Sequence, residues 1–429
     1  MSLEIVLVLF CGMVLVGVPI GFAMVSISAG YFLMGPIPTF INLIPQKLFE
    51  GIDVIVLTAI PFFLLAGELM NRSGMAKRLM HFANLIVGRV RGGFAYVNVL
   101  ASLLFSGLTG VAVGDIAALG KVEIKAMEQA GYPRAFAAAV TASSSLVGTI
   151  IPPSGLIILY CAIMNVSVGA MFLAALIPGV LMAVADMIVI GIQAKKRGFP
   201  KSEVKRTLPE IVTGTKDASL ALFMPFLLIG GIVGGIMTPT EAAAVSVLYA
   251  LGISLFVYRA LSLKEIYRIL VSSSYDAARL LFMIGAALTM TWIFALEDLA
   301  GQVSMLFSHV ESSPLLTILM INAVFLILGM FMDSSIALIL FAPVVAPVAY
   351  GVGVSPTQLG IMLIINVVVG LATPPIGNVL FAICGVVQLR FSDLVRELFP
   401  FIAIKFVLLL LIGMIPFLTT AIPSYFGFS

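Results

Sequence analysis

The chain of 429 residues is 61% hydrophobic and only 10% charged, with a formal net charge of +3. A soluble domain of this length needs far more charge to cover its surface, so the composition excludes a soluble globular protein. The apolar runs are repeatedly long enough for a helix to cross roughly 30 Å of hydrocarbon, which predicts an all-α polytopic membrane protein.

The chain begins with an apolar run over 3–33 that has no basic segment and no small-residue cleavage site. We therefore expect a retained helix there rather than a signal peptide. The three cysteines are scattered, and the two histidines, His81 and His309, lie far apart. This usage argues against a disulfide framework, a histidine metal centre and histidine-based catalysis, so we expect no enzyme activity.

Four clusters of Lys and Arg set the predicted topology. They lie at 72–91, 195–216, 259–279 and 388–397, and the positive-inside rule assigns them to the cytoplasm. Segment 297–313 carries three acids and no Lys or Arg, which places it outside.

Two apolar stretches must enter the membrane and turn back. The stretch 93–120 lies between cytoplasmic basic segments, whereas 314–349 begins and ends outside. Single spans are predicted over 218–236, over 240–257 and over about 280–296. The sequence therefore predicts two re-entrant hairpins, one entered from the cytoplasm and one from outside.

An internal repeat accompanies the hairpins. GTIIPPSG at 148–155 and GLATPPIG at 370–377 each contain two adjacent prolines, and 374 − 152 gives an offset of 222 residues. Five predicted crossings separate the two hairpins, an odd number, so the repeat is inverted, as in many secondary transporters. Seven glycines and prolines match at this offset: Pro374 with Pro152, Pro375 with Pro153, Gly370 with Gly148, Gly377 with Gly155, Pro400 with Pro178, Gly329 with Gly107, and Gly353 with Gly131.

Adjacent prolines remove backbone donors and break a helix. Broken backbone is tolerated at membrane depth only where it lines a cavity or is buried in protein. Carbonyls at a helix C-terminus can coordinate a cation, and N–H groups at a helix N-terminus can hold a carboxylate. The alternative is a simple kink, which suits one isolated proline pair better than two at a fixed offset. We therefore predict a shared site for an anion and cations.

The repeats divide the chain into four predicted units. These are N-terminal scaffold helices with an interfacial arm over 1–92; a first transport-domain repeat over 93–192, with hairpin 1 and a broken helix at 134–163; central scaffold helices and cytoplasmic arms over 193–313; and a second repeat over 314–420, with hairpin 2, a broken helix at 358–385 and a last helix.

Five motifs give the chain a family resemblance: SGLTGVAVGDIAALG, GTIIPPSG, TPTEAAAVS, GMFMD and ATPPIGN. Together they resemble the large membrane subunit of tripartite ATP-independent periplasmic (TRAP) transporters, over essentially the whole chain. The resemblance implies the ion-transporter superfamily fold, in which a scaffold holds a mobile, elevator-type transport domain in the bacterial inner membrane. It also implies sodium-coupled uptake of an organic carboxylate, with sialic acid favoured and a C4-dicarboxylate next.

The same resemblance implies partners. These are two or more Na+ ions as coupling ions, a small four-helix membrane subunit and a periplasmic binding protein that delivers the substrate. Because the chain starts at its first large-subunit helix, the small subunit is expected to be a separate chain. A stand-alone dicarboxylate or citrate symporter of the same superfamily, with no binding-protein partner, is the alternative.

The cation sites are predicted where each hairpin tip meets its broken helix. Sodium prefers hard oxygen ligands, which freed carbonyls supply without a formal charge. For the hydroxyls of Ser106 and Thr109, the alternative is a hydrogen bond back to a carbonyl of their own helix. The candidates are Ser106, Thr109, Gly148, Ile151 and Pro153 at the first site, and Gly329, Met332, Gly370, Thr373 and Ile376 at the second.

The substrate is predicted to lie between the two tips, against Thr149, Ser154, Asp333 and Asn378. An intramembrane acid is functional by default, whereas the alternative for Asp333 is to cap the helix that follows it. Glu241 is predicted to be structural, because the sequence from Thr238 to Glu241 fits a capping box.

Two further acids, Glu68 and Asp186, lie in predicted spans. The sequence leaves open whether they pair with basic residues or with the partner subunit. The basic segment 72–91 has an apolar face and is predicted to lie at the cytoplasmic interface, either as a brace for a moving domain or as a plain connector.

Overall fold

The computed structural model describes residues 3–35, 38–109, 112–116, 120–199, 201, 208–308 and 313–428. Within these ranges the regular structure is helical, apart from an isolated antiparallel bridge between Arg91 and Lys201. Eight of the described helical segments are long and apolar enough to cross a membrane. The prediction of an all-α polytopic membrane protein is confirmed.

The N-terminal part consists of five helices and two short 3-10 turns. Pro19 precedes the second helix, and Gly74, with a φ of 80°, turns the chain into the fifth. The fifth helix corresponds to the predicted interfacial arm and contacts both the first hairpin and a central helix. The helices are α1 (Leu3–Leu15), α2 (Ile20–Leu33), α3 (Ile44–Ile52), α4 (Ala59–Arg72) and α5 (Met75–Val87), with turns at Pro38–Leu43 and Ile55–Thr58.

The first repeat contains a hairpin, a broken helix and one long helix. A further helix, Lys121–Gln129, lies beyond the predicted hairpin limit of 120 and packs on the broken helix. The elements are α6 (Gly93–Thr109), α7 (Ala112–Asp115), α8 (Lys121–Gln129), α9 (Arg134–Gly148), α10 (Gly155–Met164) and α11 (Val168–Arg197).

The central part contains α12 (Leu208–Val233), α13 (Pro239–Gly252) with a π-helical turn at Ile253–Val257, α14 (Leu263–Leu296) and α15 (Leu299–Ser308). Helix α14 has 34 residues, so the predicted span at about 280–296 covers only its second half. At 1.5 Å per residue it is about 51 Å long and extends well beyond the hydrocarbon.

Capping boxes start two of these central helices. The Thr238 N–H donates to Glu241 Oε2 over 2.8 Å, and the Glu241 N–H donates to Thr238 Oγ1 over 3.3 Å. Ser262 and Glu265 repeat the arrangement at the start of α14. The structural prediction for Glu241 is therefore confirmed.

The second repeat follows the plan of the first. Its broken helix runs over 356–387, slightly longer than the predicted 358–385. The elements are α16 (Pro314–Phe331), α17 (Ser334–Gly351), α18 (Pro356–Gly370), α19 (Asn378–Val387), α20 (Phe391–Met414) and a terminal α21 (Phe417–Tyr425).

Packing relates the two repeats by approximate twofold symmetry. Hairpin arms α6 and α16 each pack on the first half of their own broken helix, α9 and α18. The second halves cross over, since α10 packs on hairpin arm α17 and α19 packs on α7. The broken helix α9–α10 and helices α11 to α14 give five crossings between the hairpins, so the inverted repeat is confirmed.

Candidate substrate and cation site

Both proline pairs interrupt a helix. The first break lies between α9 and α10 and the second between α18 and α19, and each contains a cis peptide bond between its two prolines. In an unbroken α-helix the N–H of residue i + 4 bonds to the carbonyl of residue i. Prolines 152 and 153 therefore remove the donors for residues 148 and 149, and prolines 374 and 375 those for residues 370 and 371.

At the first break, the Ile151 N–H still reaches the Val147 carbonyl, over 3.4 Å, but the Gly148 carbonyl accepts no backbone N–H of the described residues. The Thr149 carbonyl accepts the Ser154 hydroxyl over 2.5 Å, and the Thr149 hydroxyl donates to Leu146 over 2.8 Å. The break thus leaves the carbonyl of Gly148 for another partner.

At the second break, the Gly370 carbonyl accepts the Thr373 N–H over 2.9 Å and the Leu371 carbonyl accepts the Val379 N–H over 3.0 Å. Gly377 has a φ of 36°, and a Cβ there would lie 2.7 Å from the Leu371 oxygen. The break therefore needs glycine at this position, because the carbonyl oxygens of Leu371 and Thr373 lie directly against Gly377.

The backbone of the second hairpin arm lies close against the backbone of the second broken helix. A Cβ on Gly370 would lie 2.6 Å from the Gly329 carbonyl carbon, and a Cβ on Gly329 would lie 2.5 Å from the Val367 oxygen. Met332, in extended conformation, joins the arms of the hairpin. Gly329 and Gly370 therefore lie close together, with Met332 at the end of the same hairpin arm and Thr373 and Ile376 in the adjoining break; their role in cation binding stays a prediction.

The first hairpin tip is described by its backbone only. Helix α6 runs to Thr109, and the side chains of Ser106 and Thr109 lie outside the described residues. Ile151 and Pro153 lie in the first break, beside the Gly148 carbonyl. The predicted roles of the two hydroxyls stay predictions.

A cavity lies between the two breaks. Apolar side chains of α4 and α14, among them Phe63 and Ile284, form one wall. The other wall consists of residues at the helix ends of both repeats, more than half of which are polar. These residues are Thr149, Pro153, Gly155, Asp333, Ser334, Ser335, Leu371 and Asn378. The two breaks therefore face each other across one cavity, together with the second hairpin tip.

The predicted substrate residues differ in their positions. Thr149, Asp333 and Asn378 line the cavity, whereas Ser154 is fully buried behind it. The Ser154 hydroxyl caps α10, accepting the Ile157 N–H, and donates to Thr149. Asp333 lines the cavity and caps α17 by accepting the Ser335 N–H over 2.8 Å, so the capping interpretation is confirmed and the contact with substrate stays a prediction.

Helix ends determine the electrostatics of this cavity. Helices α10, α17 and α19 begin at it, with Gly155, Ser334 and Asn378 in the lining, and helices α9 and α18 end beside it. Helix N-termini carry partial positive charge and C-termini partial negative charge. Among the lining residues that the structure describes, Asp333 is the one charged side chain. The arrangement suits a carboxylate at the N-termini and a cation at the carbonyls.

Sequence reasoning missed the polar contacts that hold the breaks in place. Asn98 on α6 donates to Thr141 on α9 over 2.8 Å, and the Asn366 amide on α18 donates to Asn322 on α16 over 2.6 Å. Both join a hairpin arm to its broken helix. The match between Ser144 and Asn366 at the repeat offset is a polar signal that could have indicated this contact.

The two unassigned acids have intramolecular partners. Glu68 pairs with Arg72 on the same helix, and Asp186 pairs with Lys405 on α20. Lys405 is a lysine inside a long apolar run, so it could have been singled out by the rule that was applied to Asp186.

Comparison with known proteins identifies the family. The model of the family described as "Tripartite ATP-independent periplasmic transporter, DctM component" matches residues 7–418. The chain belongs to this family. The predicted resemblance is confirmed, and this TRAP component is a multi-pass protein of the bacterial inner membrane.

Relatives of this TRAP component have different substrates in their names. The "Sialic acid TRAP transporter large permease protein SiaM" of Vibrio cholerae is 37% identical and aligns over 97% of both chains. The "C4-dicarboxylate TRAP transporter large permease protein DctM" of Pseudomonas aeruginosa is 36% identical over 91% of this chain and 92% of its own. The "2,3-diketo-L-gulonate TRAP transporter large permease protein YiaN" of Escherichia coli is 35% identical over 97% of both.

A solved structure shares the fold. The YdaH transporter of Alcanivorax borkumensis, whose crystal structure is described as having an unusual topology, matches with a TM-score of 0.59 over 89% of each chain. Its sequence is 14% identical, so the likeness supports only the fold of this TRAP component and says nothing of its function.

Proposed function

We propose that the chain is the large membrane component of a sodium-coupled importer of an organic carboxylate. The observation that carries this is the cavity at which three helix N-termini and two helix C-termini of the inverted repeat meet. Partial positive ends attract the carboxylate, and carbonyl ends attract sodium, in one space. Sodium is transported with the substrate and binds at the residues predicted for the two cation sites.

An elevator movement fits the composition of the cavity walls. One wall comes from α4 and α14, outside the repeats, and the other from the hairpin and broken helices of the repeats. In the proposed cycle, the two repeats move together against those scaffold helices and carry the site across the membrane. The backbone contact between Gly329 and Gly370 lets hairpin and break move as one unit.

The cavity favours a hydroxylated monocarboxylate, such as sialic acid, over a C4-dicarboxylate. Among the described residues of the lining, Asp333 is the one charged side chain, so a second substrate carboxylate would meet like charge without a basic partner among them. Substrate hydroxyls can instead donate to Asp333 and bond to Ser335 and Asn378. Relatives of similar identity bear the names of three substrates, so overall identity does not decide between them.

Two protein partners complete the proposed system, a separate small membrane subunit and a periplasmic binding protein. The family description names this chain as one component of a tripartite transporter, which favours this reading over a stand-alone symporter. The small subunit would pack on the scaffold helices, and the binding protein would deliver substrate at the outer face.

The test is uptake into proteoliposomes that contain the chain and its small subunit. N-acetylneuraminate, 2,3-diketo-L-gulonate and succinate are supplied with their binding proteins, with an inward sodium gradient or with potassium in its place. We expect sodium-dependent uptake of the hydroxylated acids and none without a binding protein. Preference for succinate contradicts the substrate class, equal uptake in potassium contradicts sodium coupling, and uptake without a binding protein supports the stand-alone symporter.

A further inference from the structure

A buried ionic cluster lies behind the first break, away from the cavity. Lys405 Nζ of α20 donates to Asp186 Oδ1 of α11 over 2.5 Å and to the main-chain carbonyl of Ser143 on α9 over 3.1 Å. It also donates to the Ser143 hydroxyl, which itself donates to Asp186 Oδ1 over 2.7 Å. Asp186 and Lys405 have exposed fractions of 0% and 1%, so the bilayer and water are both excluded.

The cluster joins the two repeats at one specific helix. Helices α9 and α11 belong to the first repeat, and α20 is the last long helix of the second. Ser143 lies five residues before Gly148, whose carbonyl is free at the break, so about one and a half helical turns separate them. On another face of α9, Ser144 donates to Asn98 of the hairpin over 2.7 Å. Helix α9 is therefore held from two sides just before its free carbonyl.

The equivalent positions of the second repeat carry no charged residue, so the fold itself does not require an ion pair between these helices. At the offset of 222 residues, Ser143, Asp186 and Lys405 correspond to Ile365, Leu408 and Ala183, all buried and apolar or small. Removing one partner of a buried pair is strongly destabilising, whereas replacing both by apolar residues is often neutral or stabilising. The asymmetry indicates a role that belongs to the first break alone.

We propose that Asp186, Lys405 and Ser143 are positioning residues for the first cation site: the Lys405 ammonium, held by Asp186, fixes α9 so that the Gly148 carbonyl is set for sodium. The ammonium is part of the protein: it moves with the two repeats and is not released with the substrate. This inference rests on the proposed sodium coupling. Supporting groups that orient metal ligands typically change metal affinity by roughly 10- to 100-fold when removed, and the same logic applies to this cluster.

The experiment measures the sodium concentration that gives half-maximal uptake, together with the KM for the loaded binding protein and the thermal transition. The double variant Asp186→Leu/Lys405→Met copies the apolar second repeat and leaves no unpaired charge. We expect it to assemble, to raise half-saturating sodium about tenfold and to keep KM at saturating sodium within about twofold. Ser143→Ala keeps the ion pair but removes both hydrogen bonds of the hydroxyl, and it should raise half-saturating sodium by at least about two- to tenfold, the effect of losing a single hydrogen bond.

The chain offers a matched control in Arg197 and Glu397, whose side chains pair over 2.8 Å between the same helices, α11 and α20. Arg197 contacts α9 near its start, over the Phe136 ring, which lies 148 − 136 = 12 residues before Gly148. Arg197→Met/Glu397→Gln should leave half-saturating sodium unchanged. An unchanged sodium dependence in Ser143→Ala and the double variant, or an equal shift in the control, overturns the inference. If the double variant does not assemble, Ser143→Ala decides. Sodium-independent uptake by the wild-type protein overturns the proposed coupling and this inference with it.

Discussion

At the scale of single residues, Asp333 shows how one side chain can serve the backbone and the cavity together. Its carboxylate caps α17 through the Ser335 N–H and also faces the space between the breaks. Asparagine caps a helix about as well as aspartate, so the two roles can be separated by substitution. The sequence offered a substrate contact and a helix cap as alternatives for Asp333; the structure confirms the cap and places it at the cavity, and the substrate contact stays a prediction.

Asp333→Asn should keep the cap and the fold but lower uptake roughly 10- to 100-fold, the effect of losing a charged hydrogen-bonding group. Asp333→Ala should abolish uptake and also lower the free energy of unfolding by about 0.5–2 kcal/mol through loss of the cap. Initial uptake rates and thermal unfolding of the reconstituted complex measure both effects. Normal uptake by Asp333→Asn would leave this residue with the capping role alone.

Gly370 tests the close approach of hairpin and break. In Gly370→Ala, a Cβ 2.6 Å from the Gly329 carbonyl carbon cannot be accommodated without moving backbone. We expect destabilisation of about 1–3 kcal/mol, with loss of sodium-dependent uptake. Gly230→Ala in α12 is the control, since nothing lies within 4 Å of a Cβ there. Equal stability of the two variants would rule out the tight crossing.

At the scale of helices and hairpins, local rules predicted the breaks and missed some of their surroundings. Proline positions determine which carbonyls lose their donors, so both breaks were predictable. Ser154 was placed against the substrate because it follows the prolines, yet its position before α10 is that of an ordinary N-cap. Asp186 and Lys405 are 219 residues apart, and no periodicity in one sequence reveals such a pairing.

Helix α14 shows the same limit. The hydrophobic part of the helix was predicted, but its first half carries Lys264, Arg268 and Arg279 on exposed positions. Charged residues were interpreted as a boundary, although a helix can continue into water once it leaves the bilayer. A span predicted from hydropathy therefore gives the membrane segment and not the whole helix.

The break itself can be tested by restoring one donor. Pro374→Ala returns an N–H four residues after Gly370, which can extend α18 by bonding to the Gly370 carbonyl in place of the Thr373 N–H. We expect half-saturating sodium to rise and maximal uptake to fall, while Pro225→Ala, at a proline inside α12 and outside both repeats, changes neither. Sodium titration of uptake measures both. Unaltered sodium dependence in Pro374→Ala would separate this break from cation binding.

At the scale of the whole molecule, the inverted repeat requires a definite orientation. The ends of α14 should face opposite sides of the membrane, with Lys264 in the cytoplasm and Gln302, just beyond α14, outside. In a background without Cys11, Cys161 and Cys384, an impermeant thiol reagent on intact cells should label Gln302→Cys and not Lys264→Cys. Permeabilised cells should show both. Labelling of both positions in intact cells would contradict the topology.

Apart from Asp333, the described lining of the cavity obtains its charge pattern from the main chain, at helix ends that lie beside glycines and prolines. Under the proposed function, ion coupling depends on main-chain carbonyls and substrate recognition on side chains, so the two can change separately in evolution. Under the same proposal, exchange of a few lining side chains, such as Ser335 or Asn378, would change the substrate while the sites for sodium stay the same. The different substrates in the names of the relatives would then need only local changes to one common framework.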